Sequence, residues 1–241
     1  MLLAIFAHPD DESFSVAGTL AGCHRAGRKL TLVTATDGEA GRVSGVVADD
    51  RKEVAALRRR ELLDAAGILG VDRVVTLGHP DGKLDTGSGD ALVAELTGLI
   101  RRARPRVVLT FGPEGAPNTH ADHRAVSRAA TAAFFLAGLA TSLPGAGAPW
   151  RSDRLYYVTW TGRSGPNGGV EGLPVTCRVD ITAEIETKRA AFAAHRSQQH
   201  HHAHFEDELR PQEEFFLVSG VPQPEPVTSD LFAGLTRDRE A

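Results

Sequence analysis

The stretch that decides the fold is Met1-Leu2-Leu3-Ala4-Ile5-Phe6-Ala7-His8-Pro9-Asp10-Asp11-Glu12. Its apolar run is short and unbroken, which reads as a buried strand, and it stops abruptly at a polar cluster. Residues 13–26 then carry helical spacing. The same alternation recurs along the chain. Residues 30–34, 73–77 and 106–111 are further short apolar runs, partly β-branched, and 50–69, 90–102 and 122–139 are the longer helical segments. In the second of the four helices Val54, Leu57, Leu62, Ala65 and Ile68 fall near one stripe, with arginines elsewhere.

Alternation of this kind predicts an α/β fold: one doubly wound, mostly parallel, Rossmann-like sheet with helices on both faces. Beyond residue 149 the pattern continues with strands near 155–160 and 175–179 and a helix over 183–195. Residues 214–218 add an edge strand. The Gly/Pro/Ala stretch 138–149 is the best place for a break, but the segment after it reads as completing a single domain over 1–241. The Gly/Pro-rich 162–174 reads as a surface loop.

Composition narrows the function. The chain has 241 residues, 27 Lys+Arg against 31 Asp+Glu for a net charge of −4, and is 41% hydrophobic. A mildly acidic chain is a poor nucleic-acid binder. No apolar run approaches the roughly 18 residues that would span a membrane. The two cysteines, Cys23 and Cys177, make no disulfide framework, and no basic leader precedes the first apolar run. A reducing cytoplasm is the expected location, and homo-oligomerisation is left open.

Two motifs carry chemistry. His8 and Asp11, with two residues between them on a turn, can meet one ion, while Asp10 points elsewhere in the same site. An acidic N-cap cluster opening the helix at Ser13 is the bland alternative. The second motif is Asn118-Thr119-His120-Ala121-Asp122-His123, with histidines at i and i+3 on one side of a helix start. Imidazole and carboxylate together suit zinc. Ligands of open α/β sheets bind beyond the carboxyl ends of the strands. His8, Asp10 and Asp11 follow strand one, Asp37 and Glu39 strand two, Asp81 strand three, and His120 and His123 strand four. All therefore fall on one rim. No glycine-rich dinucleotide fingerprint, phosphate-binding loop or Gly-x-Ser-x-Gly elbow is present.

The two motifs together resemble the LmbE-like, or PIG-L, family of zinc-dependent N-acetylglucosaminide deacetylases. Weaker matches run along most of the chain: Arg58-x-x-Glu61-Leu62, Leu69-Gly70-Val71, Pro80-Asp81-Gly82, Lys188 and His195-x-Ser197-Gln198. The resemblance implies His8, Asp11 and His123 as zinc ligands and Asp10 as general base. It implies His120 as general acid or oxyanion stabiliser, with Asp122 orienting it. Glu39, Arg58 and Asp81 would surround the sugar and its aglycone. Two departures stand out: Ala121 where many members have proline, and Asn118 where some thiol-pathway members carry a mobile tyrosine.

The chemistry fits the residues. Three protein ligands leave a catalytic zinc an open position for water, and zinc moves that water's pKa from about 15.7 toward about 7. Ferrous iron could take the same ligands. By the resemblance, the substrate is a small glycoside, N-acetylglucosaminyl-malate or -inositol, of bacillithiol or mycothiol biosynthesis. A charge pairing with Arg58, and a chain compact beside the inositol-type enzymes, tilt the expectation toward malate. An amidase acting on a thiol conjugate of such a glycoside would use the same residues. A non-catalytic metal- or sugar-binding protein is the third reading, favoured only by the histidine tract 200–204, which more simply reads as a solvated or helix-terminal cluster. His195 either approaches the site or ends a helix.

Overall fold

The computed structural model describes residues 1–44, 50–86, 89–116, 118–161 and 172–236; most of the expected loop at 162–174 lies outside them. Its strands are β1 Leu2–Phe6, β2 Leu30–Thr36, β3 Arg73–His79, β4 Val107–Phe111, β5 Arg154–Thr159, β6 Cys177–Asp180 and β7 Gln212–Gly220. Its helices are α1 Asp11–Ser15, α2 Ala17–Arg25, α3 Arg51–Leu69, α4 Gly89–Ala103, α5 Ala121–Ala137, α6 Ile185–Ala194 and α7 His202–Glu208. Short 3-10 turns at Thr182–Glu184 and Arg196–His201 lead into α6 and α7.

The strands form one sheet in the order β3-β2-β1-β4-β5-β7-β6. The five strands from β3 to β5 are parallel. Right-handed crossovers place α2 and α3 on one face as the chain steps outward from β1. The reversed step to β4 and β5 places α4 and α5 on the other. Packing agrees: α4 lies against α5, and α6 lies against α2 and α3. The winding thus reverses between β1 and β4, where such sheets open a crevice. Both strands are buried along their length, and Phe6 meets Phe111 edge-on at 4.8 Å between ring centroids.

The expected edge strand is a correction. β7 is internal, paired antiparallel with both β5 and β6, and β6 holds the edge. Adjacent charges at Glu213 and Glu214 mimic an exposed edge, yet Glu213 is buried. Its carboxylate accepts from the N–H groups of Gly18 (3.0 Å) and Thr19 (2.7 Å) at the start of α2, and from Lys188 Nζ (2.6 Å). The single helix expected over 13–26 is also two helices, broken at Val16 and beginning earlier, at Asp11. In α3 the inward stripe is Val54, Arg58, Glu61, Leu62, Ala65 and Leu69, whereas Ile68 is exposed. Residues 138–149 are bound to α4. Arg101 on α4 donates to the carbonyls of Leu136, Ala137, Leu139, Ser142, Leu143 and Gly147, which ties the excursion down.

Lys188 also donates to the Phe14 carbonyl at 2.8 Å, so the Glu213 cluster joins β7, α6, α1 and α2. Glu213→Ala leaves a buried ammonium without its counter-charge. It is expected to cost about 3–5 kcal/mol in denaturant unfolding. A loss below about 1 kcal/mol would show that the cluster contributes little to stability.

Candidate metal centre

Loops leaving the carboxyl ends of β1, β2, β3 and β4 build the site, on the rim that the sequence pattern indicates. Immediately after β1 the Asp11 carboxylate folds back. Its Oδ2 accepts from the N–H groups of Ala7 (3.1 Å) and His8 (2.8 Å). Its Oδ1 stands 3.1 Å from His123 Nε2. His8 Nδ1 lies 3.6 Å from Asp11 Oδ2 and 3.3 Å from His123 Nε2. Donors on a tetrahedral zinc with bonds of about 2.1 Å stand roughly 3.4 Å apart, so these separations match such a centre.

The partners of the outward ring nitrogens suit the tautomers that metal binding needs. His123 Nδ1 faces the Gly115 carbonyl at 3.1 Å, leaving the Nε2 lone pair turned inward. His8 Nε2 faces Asp81 Oδ1 at 3.1 Å and Asp122 Oδ2 at 3.4 Å, leaving Nδ1 for the centre. Ligand-type atoms of His8, His120 and His123 converge within 4.8 Å, and so do those of His8, Asp81 and Asp122. The second set is the poorer cage. Asp81 already accepts from the Ala40 N–H, and Asp122 from the Gly82 and Leu84 N–H groups.

Charge reinforces this geometry. Burial opposes a charged ring at His8, but hydrogen bonds to Asp11, Asp122 and Asp81 raise it well above the usual histidine value. Burial works against ionised Asp11, but His123 and His8 pull it well below the carboxylate range. Asp81, likewise desolvated, is drawn down to about 2 chiefly by His8. Asp10 moves the other way: burial pushes it up to about 6 despite the neighbouring Arg58 charge. Burial and the charges of His8 and His123 lower His120.

The remaining expected residues take unexpected positions. Arg58 is buried: its Nη1 donates to the Gly38 carbonyl (2.8 Å) and its Nη2 to the Pro9 carbonyl (2.5 Å), with Asp10 Oδ2 at 3.2 Å. It braces the loop and the Asp10 carboxylate and does not present its fork to an aglycone. Glu39 accepts from the Asp81 N–H at 2.8 Å, while Asp81 accepts from Ala40, so the two residues lock their loops together. The Asp122 carboxylate reaches His8 and the loop after β3. Its contact with His120 is through the backbone, Asp122 N–H donating to His120 Nδ1 at 3.2 Å. His120 itself is exposed.

Glu12 escaped a role in the sequence reading, and His195, read as either near the site or a helix end, is its buried partner. Glu12 Oε1 stands 2.7 Å from His195 Nε2, and Oε2 accepts from the Asp10 N–H at 3.1 Å. Glu12 lies in the first turn of α1 and is fully buried. The histidine tract is solvated at the start of α7, with His200 Nδ1 3.2 Å from Ser44 Oγ. Among the described residues it forms no metal-ligand cluster.

Residues 3–134 match the PIG-L family model, described as GlcNAc-PI de-N-acetylase, and that span holds every residue of the proposed centre. The chain belongs to the PIG-L family. A 1D-myo-inositol 2-acetamido-2-deoxy-alpha-D-glucopyranoside deacetylase of Nakamurella multipartita is 34% identical, the match covering 99% of this chain and 97% of that protein. The conserved protein TT1542 from Thermus thermophilus superposes with a TM-score of 0.74 at 30% identity over 98% of each chain. The N,N'-diacetylchitobiose deacetylase from Pyrococcus horikoshii reaches 0.74 at 22% identity, covering 90% of this chain and 83% of that one, a likeness of fold. The PIG-L resemblance read from the two motifs holds, as does the expectation of an enzyme of the deacetylase class.

Asp122→Asn removes a carboxylate that orients His8. It is expected to weaken zinc binding by about 10–100-fold in competition with a chromophoric chelator. Unchanged affinity would show that His8 needs no such partner.

Proposed function

We propose that this protein is a zinc-dependent deacetylase that hydrolyses the N-acetyl group of a small N-acetylglucosaminide of the inositol type. The observation that carries the reading is the convergence of His8 Nδ1, His123 Nε2 and the Asp11 carboxylate at 3.1–3.6 Å, with Asp10 braced beside them. His8, Asp11 and His123 would hold the metal. When bound, zinc supplies a Lewis acid that acidifies water and polarises a carbonyl.

The side chains divide the remaining work. Asp10 accepts the proton of the water that attacks the amide carbon. His120 Nδ1 is occupied as an acceptor, so the neutral ring carries its proton on Nε2. That N–H can donate to the oxyanion as it forms, which suits a ring whose protonation is disfavoured. When the C–N bond breaks, the amine takes up a proton and acetate leaves. Asp10 and His120 are the groups able to deliver it.

Arg58 is spent on Asp10, Pro9 and Gly38, which withdraws the charge pairing that favoured malate. The inositol glycoside named for the Nakamurella relative is therefore the substrate class assigned. Zinc is the default metal, with ferrous iron as the alternative for the same ligands. Among the described residues no helix is long and apolar enough to cross a membrane.

Chelation is expected to abolish activity, and added zinc to restore it; turnover indifferent to chelation would contradict the reading. The inositol glycoside should exceed both the malate glycoside and a bulky cysteinyl conjugate in kcat/KM. Preference for the conjugate would make the enzyme an amidase. Asp10→Ala is expected to keep zinc and lose at least about a hundredfold in kcat. Full activity would remove Asp10 from the mechanism.

A further inference from the structure

Asp10 has a backbone that needs explaining. Its φ is 108°, a left-handed value at a residue with a side chain, and such conformations cost about 1–3 kcal/mol unless their surroundings enforce them. Two sets of contacts supply that enforcement. On the side-chain face, Arg58 Nη2 reaches Asp10 Oδ2 at 3.2 Å and the preceding Pro9 carbonyl at 2.5 Å. On the backbone face, the Asp10 N–H donates to Glu12 Oε2 at 3.1 Å.

The Glu12 carboxylate is in turn held from behind. Its Oε1 accepts from Ser13 Oγ at 2.6 Å and faces His195 Nε2 at 2.7 Å, with Glu12 and His195 both fully buried. Burial opposes a charged His195 ring, but the Glu12 carboxylate outweighs it and raises the histidine. Among the described residues, that bond is the only side-chain hydrogen bond of His195; Nδ1 has no partner. The polar function of His195 is therefore directed wholly at Glu12. The turn carrying His195 is fixed by the same helix that carries Arg58: Glu61, three residues along α3, accepts from Ser197 N–H (2.8 Å) and Ser197 Oγ (2.6 Å).

These contacts close a ring. It runs from Asp10 to Arg58, along α3 to Glu61, across to Ser197, back along the turn to His195, and through Glu12 to Asp10. We propose that Glu12 and His195 are positioning residues that hold Asp10 in its left-handed conformation and keep its carboxylate aimed at the attacking water. The proposal rests on the reading of Asp10 as the base. His195 acts through Glu12, and Glu12 acts through the Asp10 backbone; neither touches substrate or metal.

The test measures kcat, KM and bound zinc separately for Glu12→Gln, His195→Gln and His195→Asn, each alone and combined with Asp10→Ala. Both His195 variants keep a polar amide in the buried site and differ in reach, since the glutamine amide extends to where Nε2 stands and the asparagine amide does not. Glu12→Gln and His195→Asn are expected to lower kcat by about 10–100-fold, in the range of other orienting partners, with KM within about twofold and zinc stoichiometry unchanged. His195→Gln should recover to within about fivefold of the parent enzyme. In the Asp10→Ala background none should cost anything further, because residues that act through one another are non-additive. Loss of zinc, an equal kcat for His195→Gln and His195→Asn, or the same cost with and without Asp10 would each overturn the proposal. Should Glu12→Gln fail to fold, the His195 pair still decides. Parent-level activity in Asp10→Ala alone would instead overturn the assignment of the base, and this proposal with it.

Discussion

The whole site hangs on a carboxylate folded back over the end of a buried strand. Asp11 accepts from the N–H groups of Ala7 and His8, and all five residues of β1 are buried. One interaction therefore holds an Asp11 oxygen against the end of a fully buried strand. It also sets the turn that carries His8 and leads into Asp10, whose left-handed backbone is contacted by Arg58 and Glu12. His123 arrives from β4, the parallel neighbour of β1 across the reversal of winding. The remaining loops serve these positions: Asp81 and Asp122 orient His8, and Glu39 ties the loop after β2 to the loop after β3.

Such an arrangement concentrates four carboxylates, Asp10, Asp11, Asp81 and Asp122, around imidazoles in a desolvated crevice. Buried charges of one sign are costly unless a cation or a set of hydrogen bonds compensates them. The protein divides that compensation. Backbone N–H groups satisfy Asp11, Asp81 and Asp122, and Arg58 faces Asp10. What they leave free is the inward lone pair of each of two histidines and an Asp11 oxygen, the donor set that a borderline divalent ion prefers. The acidic N-cap alternative fails on this point. Asp10 occupies the cap position without a side-chain cap bond, and Asp11 turns away from α1 toward the strand end.

Much of this was legible in the sequence, and the failures share one cause. The parallel strands are short, largely apolar runs ended by turns, so the sheet and its rim could be read directly. The two motifs fell on that rim through topology alone. What remained hidden were charged residues that point inward. Arg58 and Glu61 sit on the buried face of α3, yet beside Arg59 and Arg60 they look like a solvated face. Glu213 likewise made an internal strand resemble an edge. Side-chain direction hid the true partner of Asp122: it neighbours His120 in sequence, but its carboxylate turns back to the loop after β3. No periodicity distinguishes a buried, satisfied ion from an exposed one.

The central claim is that the turn after β1 and the start of α5 form one pre-built metal centre. Anomalous diffraction at the zinc edge, from crystals of the zinc-loaded protein, tests it most directly. The account predicts a single strong peak bonded to His8 Nδ1, His123 Nε2 and the Asp11 carboxylate, with Asp81 and Asp122 still on the far side of the His8 ring. A principal peak between His8, Asp81 and Asp122, or within the histidine tract at the start of α7, would contradict it.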